Sequence, residues 1–94
     1  MRVVVDATAW DDLNEIGTWI GKDSPRAARE VLEKILQAIE QLQWFPRLAR
    51  AGRARGSYER VVVGTPYIVV FELWDKPTAV VVTAIAHAAQ NREG

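Results

Sequence analysis

Arg47, Arg50, Arg53, Arg55 and Arg60 fall within fourteen residues, and Glu59 is the one acid among them. The guanidinium is a planar fork that grips a carboxylate or phosphate through two hydrogen bonds at once, which lysine does not do. A run that uses arginine throughout therefore reads as a contact surface for an acidic partner or a phosphate. Residues for turnover are harder to find. His87 is the single histidine; it could titrate near neutrality, but it stands among alanines and reads first as a structural residue. Glu59 and Glu72 read as surface charges. The sequence holds no paired carboxylates, metal-ligand cluster, nucleophile motif or glycine-rich phosphate loop. The absence of cysteine excludes thiolate zinc sites and disulfides and fits a reducing compartment. No cofactor and no metal are expected.

The formal charge is zero, with twelve basic and twelve acidic side chains, but it is unevenly placed. Residues 1–40 carry five basic and eight acidic groups (−3), residues 41–60 five and one (+4), and residues 61–94 two and three (−1). A basic island in a neutral chain points to one local anionic contact and not to general or sequence-specific nucleic-acid binding. Ninety-four residues are enough for one core and too few for two. The apolar share of 49% and charged share of 26% are those of a folded globule and argue against disorder. The opening MRVVVDATAW lacks the long apolar core and small-residue cleavage site of a signal peptide. The uncharged stretch 78–86 is too short to span a membrane. The expected location is the cytoplasm.

The elements that must hold the arginines in place follow from periodicity. Residues 2–6 read as a first strand, since Val3, Val4 and Val5 are β-branched. Thr8 and Asp11 have the spacing of a capping box, with Asp11, Asp12 and Glu15 placed to favour the positive end of a helix. Ala9, Leu13, Ile16 and Ile20 lie on one face of that helix, which is expected to stop near Gly21. Ser24 and Pro25 start a second helix. Its apolar stripe is Ala28, Val31, Leu32, Ile35, Ile39 and Leu42, and Phe45-Pro46 ends it. The short link makes the pair an antiparallel hairpin. Residues 47–55 show no core period and read as an exposed loop.

The remainder is three β-rich runs, 61–63, 68–71 and 80–82, separated by Gly64-Thr65-Pro66 and Asp75-Lys76-Pro77. Gaps this short force an antiparallel meander, because a parallel return needs a dozen or more residues. The tail beyond Gln90 is polar and expected to fray. The plan is α+β: strand, helix hairpin, three-strand meander. Two helices cover one face of such a sheet. By strict alternation Tyr67, Val69, Phe71 and Leu73 share one face, and Ile68, Val70, Glu72 and Trp74 the other. Val80, Val82, Ala84 and Ala86 likewise oppose Val81, Thr83, Ile85 and His87. Neither face is cleanly polar, as in strands covered on both sides, so an open Ile68, Val70, Val81 and Ile85 patch is expected to seek a partner. Trp10, Trp19, Trp44 and Trp74 read as core or partner-facing anchors, not as base-stacking platforms.

These pieces, in this order, resemble the RelE/ParE toxin superfamily. The resemblance runs through Ala9, Asp12-Leu13, Ile16 and Trp19-Ile20, then Phe45-Pro46, then Gly56-Ser57, Glu59 and Val61-Val62. It continues through residues 67–71 and Ile85-Ala86-His87 with Gln90. It implies a toxin of a type II toxin–antitoxin module, held in a hetero-oligomer by an antitoxin with a ribbon-helix-helix or similar DNA-binding part. The antitoxin's extended C-terminal segment would cover Ile68, Val70, Trp74, Val81 and Ile85, with Arg47 and Arg50 meeting its acidic side chains. RelE-like members cut messenger RNA on the ribosome, whereas ParE-like members act on DNA gyrase and cut nothing themselves. The superfamily's RNA-cutting members place basic residues on the strands and a Tyr or His near the C-terminus. Here Arg60 stands on a strand, Thr83 and Ala84 occupy the last one, and His87-Ala88-Ala89-Gln90 is similar to the ParE branch. One departure is Gly56-Ser57-Tyr58-Glu59, where ParE-like chains often read Gly-Thr-Arg-Glu. The reading is a gyrase inhibitor that is not an enzyme, with Arg53, Arg55, Tyr58, Arg60 and His87 as target-binding candidates. The alternative is a ribosome-dependent endoribonuclease, and a third is a chain retained only as a binding partner.

Overall fold

The computed structural model describes residues 1–75 and 78–89. The Lys76-Pro77 turn and the tail from Gln90 lie outside the described residues. The order is β1 (Arg2–Val5), α1 (Ala7–Gly21), α2 (Pro25–Gln41), a short 3-10 turn (Pro46–Leu48), β2 (Arg50–Ala51), β3 (Ser57–Val61), β4 (Tyr67–Asp75) and β5 (Thr78–His87). The strands form one sheet in the order β1-β5-β4-β3-β2. The expected meander β3-β4-β5 is antiparallel, and β1 closes the far side by pairing parallel to β5 from Arg2↔Ala79 to Val5↔Val82.

The helix hairpin covers one face. Leu13 and Ile16 of α1 and Ile35 and Ile39 of α2 meet Val69, Phe71, Val80 and Val82, with Val3 and Val5 at the margin. Phe71, Ile35, Val80 and Val82 have no exposed surface. Each apolar side chain buried at this seam contributes about 1.5–3 kcal/mol, which is what holds two amphipathic helices to a sheet with no disulfide.

Four expectations are corrected. The cap of α1 is Asp6, not Thr8: Asp6 Oδ1 accepts the Ala9 amide at 3.0 Å. The helix thus begins one residue before Thr8, which leaves Asp11, Asp12 and Glu15 past its first turn, where the dipole has faded. Ser24 does cap α2, accepting from Ala27 N at 3.1 Å with Pro25 at the first position. That helix ends at Gln41, four residues before Phe45, and Leu42 still reaches the core from the turn that follows.

The second correction lies in residues 47–55, which are not all loop. Arg50 and Ala51 pair with Glu59 and Tyr58 as a fifth strand, too short to show a period.

Third, β5 carries a bulge. Val70 pairs with Ala84 and Phe71 with Val82, so Thr83 has no partner across the ladder. One extra residue reverses the alternation that follows it. Val80 and Val82 face the helices, and so, past the bulge, does Ile85, which joins the core cluster at 7% exposure. Ile85 is not on the open face.

Fourth, the open face is less exposed than its composition suggests. Ile68 is 4% and Val81 7% exposed, each flanked on both sides by cross-strand neighbours, Val61 and Ala86 for Ile68 and Glu72 and Val4 for Val81. Val70 is half-buried, and Val61 and Trp74 are the large apolar groups that reach solvent there.

Candidate functional site

The arginine run is split by the fold into three surroundings. Arg53 and Arg55 stand exposed in the turn between β2 and β3. That turn is fixed from both ends. Gly52 N donates to Ser57 O at 2.8 Å, while Ser57 N and Ser57 Oγ both donate to Ala54 O at 3.0 and 2.7 Å. Gly56 takes φ +81°, a conformation that costs other residues strain. A Cβ on Gly52 would run into Ser57 Oγ. The tip therefore presents two guanidinium groups from a backbone with little freedom, which lowers the ordering cost of a contact.

Arg50 and Arg60 are engaged within the chain, on opposite faces. Arg50 Nη2 lies 3.3 Å from Glu59 Oε1, and its register partner Glu59 is on the side away from the helices. Glu59 is only 8% exposed, so it is a buried acid paired with Arg50 and not the surface charge expected. Arg60 faces the helices and donates to Gln41 Oε1 at 3.1 Å. Tyr58, on the same face of β3, stacks on Phe71 with ring centroids 5.7 Å apart. It is half-buried, with packing in the core as its first task. Arg47 is exposed in the 3-10 turn. Arg53, Arg55 and Tyr58 thus lie toward one end of β3, whereas Arg60, opposite Val69, stands nearer the Tyr67 end.

His87 does not join the arginine turn. It ends β5 opposite Tyr67, whereas the arginine turn enters β3 opposite Glu72. Five residues of β4 separate these levels, about 17 Å of strand. The His87 ring meets Tyr67 edge-on at 5.4 Å, and its Nδ1 accepts the Ala89 amide at 3.1 Å. It borders a cleft of about 390 Å³ shared with Asp12, Glu15, Ile16, Trp19, Tyr67 and Ile85. The two carboxylates make this a poor place for a phosphate.

Asp12 has a role that its type and position in the sequence did not reveal. Its Oδ2 accepts the Ile85 amide at 2.9 Å across 73 residues of sequence. β1 pairs with β5 no further than Val82, and the Ile85 amide points away from β4, so a helix side chain replaces the missing strand. The available signal was helical spacing: Asp12 sits three residues after Ala9 and four before Ile16, on the border of the buried stripe. The four tryptophans are all exposed, between 49% and 69%, so none is a core residue. Among the described residues no group of three or more His, Cys, Asp or Glu could hold a metal ion, and no described helix is long and apolar enough to cross a membrane.

Residues 3–92 match the family model described as the ParE toxin of the type II toxin–antitoxin system parDE. The chain belongs to the ParE toxin family. It is 38% identical over 61 residues to Y4kP, a candidate toxin of Sinorhizobium fredii (strain NBRC 101917 / NGR234). That match covers 65% of this chain and 64% of the relative, a little under two thirds of the latter's length. The fold is similar to that of the chromosomal ParDE toxin–antitoxin system of P. aeruginosa, with a TM-score of 0.79 at 16% identity over 93% of this chain and 95% of that one. It is also similar to the toxin–antitoxin complex RelBE2 of Mycobacterium tuberculosis, at 0.66 and 24% over 92% and 95%. A YoeB/ParE toxin from Agrobacterium tumefaciens follows at 0.61 and 16% over 93% and 98%. At these identities the structures speak for the fold. For a ParE family member, β1 is thereby the strand that closes the sheet beside β5, and the helix hairpin its cover.

Proposed function

We propose that this ParE-family chain is the toxin of a type II module, silenced by a cognate antitoxin, and that it acts by inhibiting DNA gyrase without catalysing a reaction itself. The observation that carries the reading is the distribution of arginine. Cleaving RNA through its own 2′-OH needs cations converging on one phosphate and groups that move two protons. Here Arg50 and Arg60 are tied down on opposite faces of the sheet, the Arg53–Arg55 turn enters β3 opposite Glu72, and His87 stands opposite Tyr67 beside Asp12 and Glu15. Such a layout supports occupation of a partner's surface over cleavage. Arg53 and Arg55 lead that surface, with Tyr58 and Arg60 behind them. Contacts at an exposed tip act mainly on association rate and weaken with salt.

The antitoxin, of ribbon-helix-helix type, would lay its C-terminal segment over the open face at Val70, Trp74, Val61 and the margins of Ile68 and Val81. Its acidic residues would meet Arg47 and Arg50. Ile85, packed under the helices, is withdrawn from that set. Gyrase as target sets the place of action in the cytoplasm.

Induction in cells carrying a DNA-damage reporter, with primer extension on messenger RNA from the same culture, tests the mechanism. The reading expects a damage response and no cuts within the ribosomal A site. A-site cuts lost on Arg60→Ala or His87→Ala would assign the endoribonuclease instead.

A further inference from the structure

The cleft between α1 and the ends of β4 and β5 has no part in the reading above, and its walls have a consistent chemistry. Glu15 and Ile16 lie three and four residues after Asp12, and Trp19 lies four and three after them, so a single face of α1 supplies one wall. Tyr67 and His87 supply the other. Two carboxylates and three aromatic rings surround about 390 Å³, and no Lys or Arg among the described residues lines it. The Trp19 ring is 68% exposed and already attracts a cation: Lys22 Nζ lies 5.5 Å from its centroid, although Lys22 does not line the cleft. Asp12 spends Oδ2 on the Ile85 amide, and its second oxygen has no hydrogen bond within the described residues.

We infer that this cleft receives an arginine side chain from a protein partner, held between the Trp19 ring and the Glu15 and Asp12 carboxylates. A guanidinium stacks flat on an indole and bonds a carboxylate in its own plane, so it uses both kinds of wall together. Charge complementarity selects the occupant, because a phosphate or an acidic peptide would be repelled. The cleft and the Arg53–Arg55 tip lie at opposite ends of the sheet, so one partner segment at the cleft leaves the tip free for another. This site stands whether or not gyrase is the target.

The test is a titration of the full chain with acetyl-Gly-Arg-Gly-amide, followed by amide and indole NMR shifts. The same peptide with citrulline, which keeps the shape and loses the charge, is the control. Shifts are expected at Trp19, Glu15 and His87, with citrulline binding about tenfold weaker. Glu15→Gln should weaken the arginine peptide about fivefold and Trp19→Ala about threefold, and neither side chain is in the core. Equal binding of the two peptides, or shifts confined to Glu33 and Glu40 on α2, would overturn the proposal. So would binding that appears only in an Arg92→Gln chain, since the occupant would then be the chain's own tail.

Discussion

Replacing Asp12 separates two accounts of one carboxylate. On the sequence alone it belongs to the favourable charge near the start of a helix. In the structure it accepts the Ile85 amide at 2.9 Å, at a partly buried point where β1 has already ended. A hydrogen bond to a charged group contributes about 1.5–3 kcal/mol, and a buried amide left unpaired costs about 1–3 kcal/mol. Asp12→Ala removes the acceptor and leaves the amide without a strand to pair with, so a loss of about 2 kcal/mol is expected. In a domain of this size that lowers Tm by roughly 8–16 °C. Asp12→Asn keeps an oxygen in place and should lose about 1 kcal/mol. Urea denaturation gives both numbers, and hydrogen exchange at the Ile85 amide should speed up more in the alanine variant than in the asparagine one. If charge near the helix start were the whole role, both variants would lose about 0.5 kcal/mol or less, and about 1 M salt would erase the difference. That outcome, or unchanged exchange at Ile85, would refute the bridging role.

The capping assignment makes a paired prediction by thermal melting: Asp6→Ala should cost about 1 kcal/mol and Thr8→Ala stay within about 0.5 kcal/mol. Arg50→Ala leaves the buried Glu59 carboxylate without its cation; because Arg50 is itself 63% exposed, the loss in urea should be modest, about 1 kcal/mol, and Glu59→Gln in the same background should restore part of it. Co-expression with its antitoxin should give a soluble hetero-oligomer whose apparent affinity drops on Trp74→Ala or Val70→Asp, measured by calorimetry, while Ile85→Val should affect stability and leave affinity unchanged.

The parts of the fold that were legible in the sequence are those set by repeating pattern. The stripe of α2, its Ser24-Pro25 start, and the three-strand meander with its short gaps each rest on several residues agreeing. The rest depended on single residues or on contacts far apart in sequence. Asp6 and Thr8 are both good caps, and which one serves is decided by where β1 delivers the chain, at the Asp6 N to Val82 O bond of 3.0 Å. The bulge at Thr83 leaves no mark in composition, yet it alone moves Ile85 from the open face to the core. β2 is two residues long and exists because β3 offers it an edge. In the candidate site, the arginine cluster was visible as charge. Its division into a free tip and two tethered side chains was not, since Glu59 and Gln41 reach Arg50 and Arg60 only after folding.

We propose that Arg53 and Arg55, on their fixed turn, stop DNA gyrase by contact. It is tested most directly with purified gyrase, ATP and relaxed plasmid, comparing wild type with an Arg53→Ala, Arg55→Ala double variant of unchanged Tm. Wild type should block supercoiling and trap cleaved plasmid, added salt should weaken this, and the double variant should do neither at the same concentration. Gyrase that supercoils normally in the presence of wild type, or is blocked equally by the double variant, would contradict it.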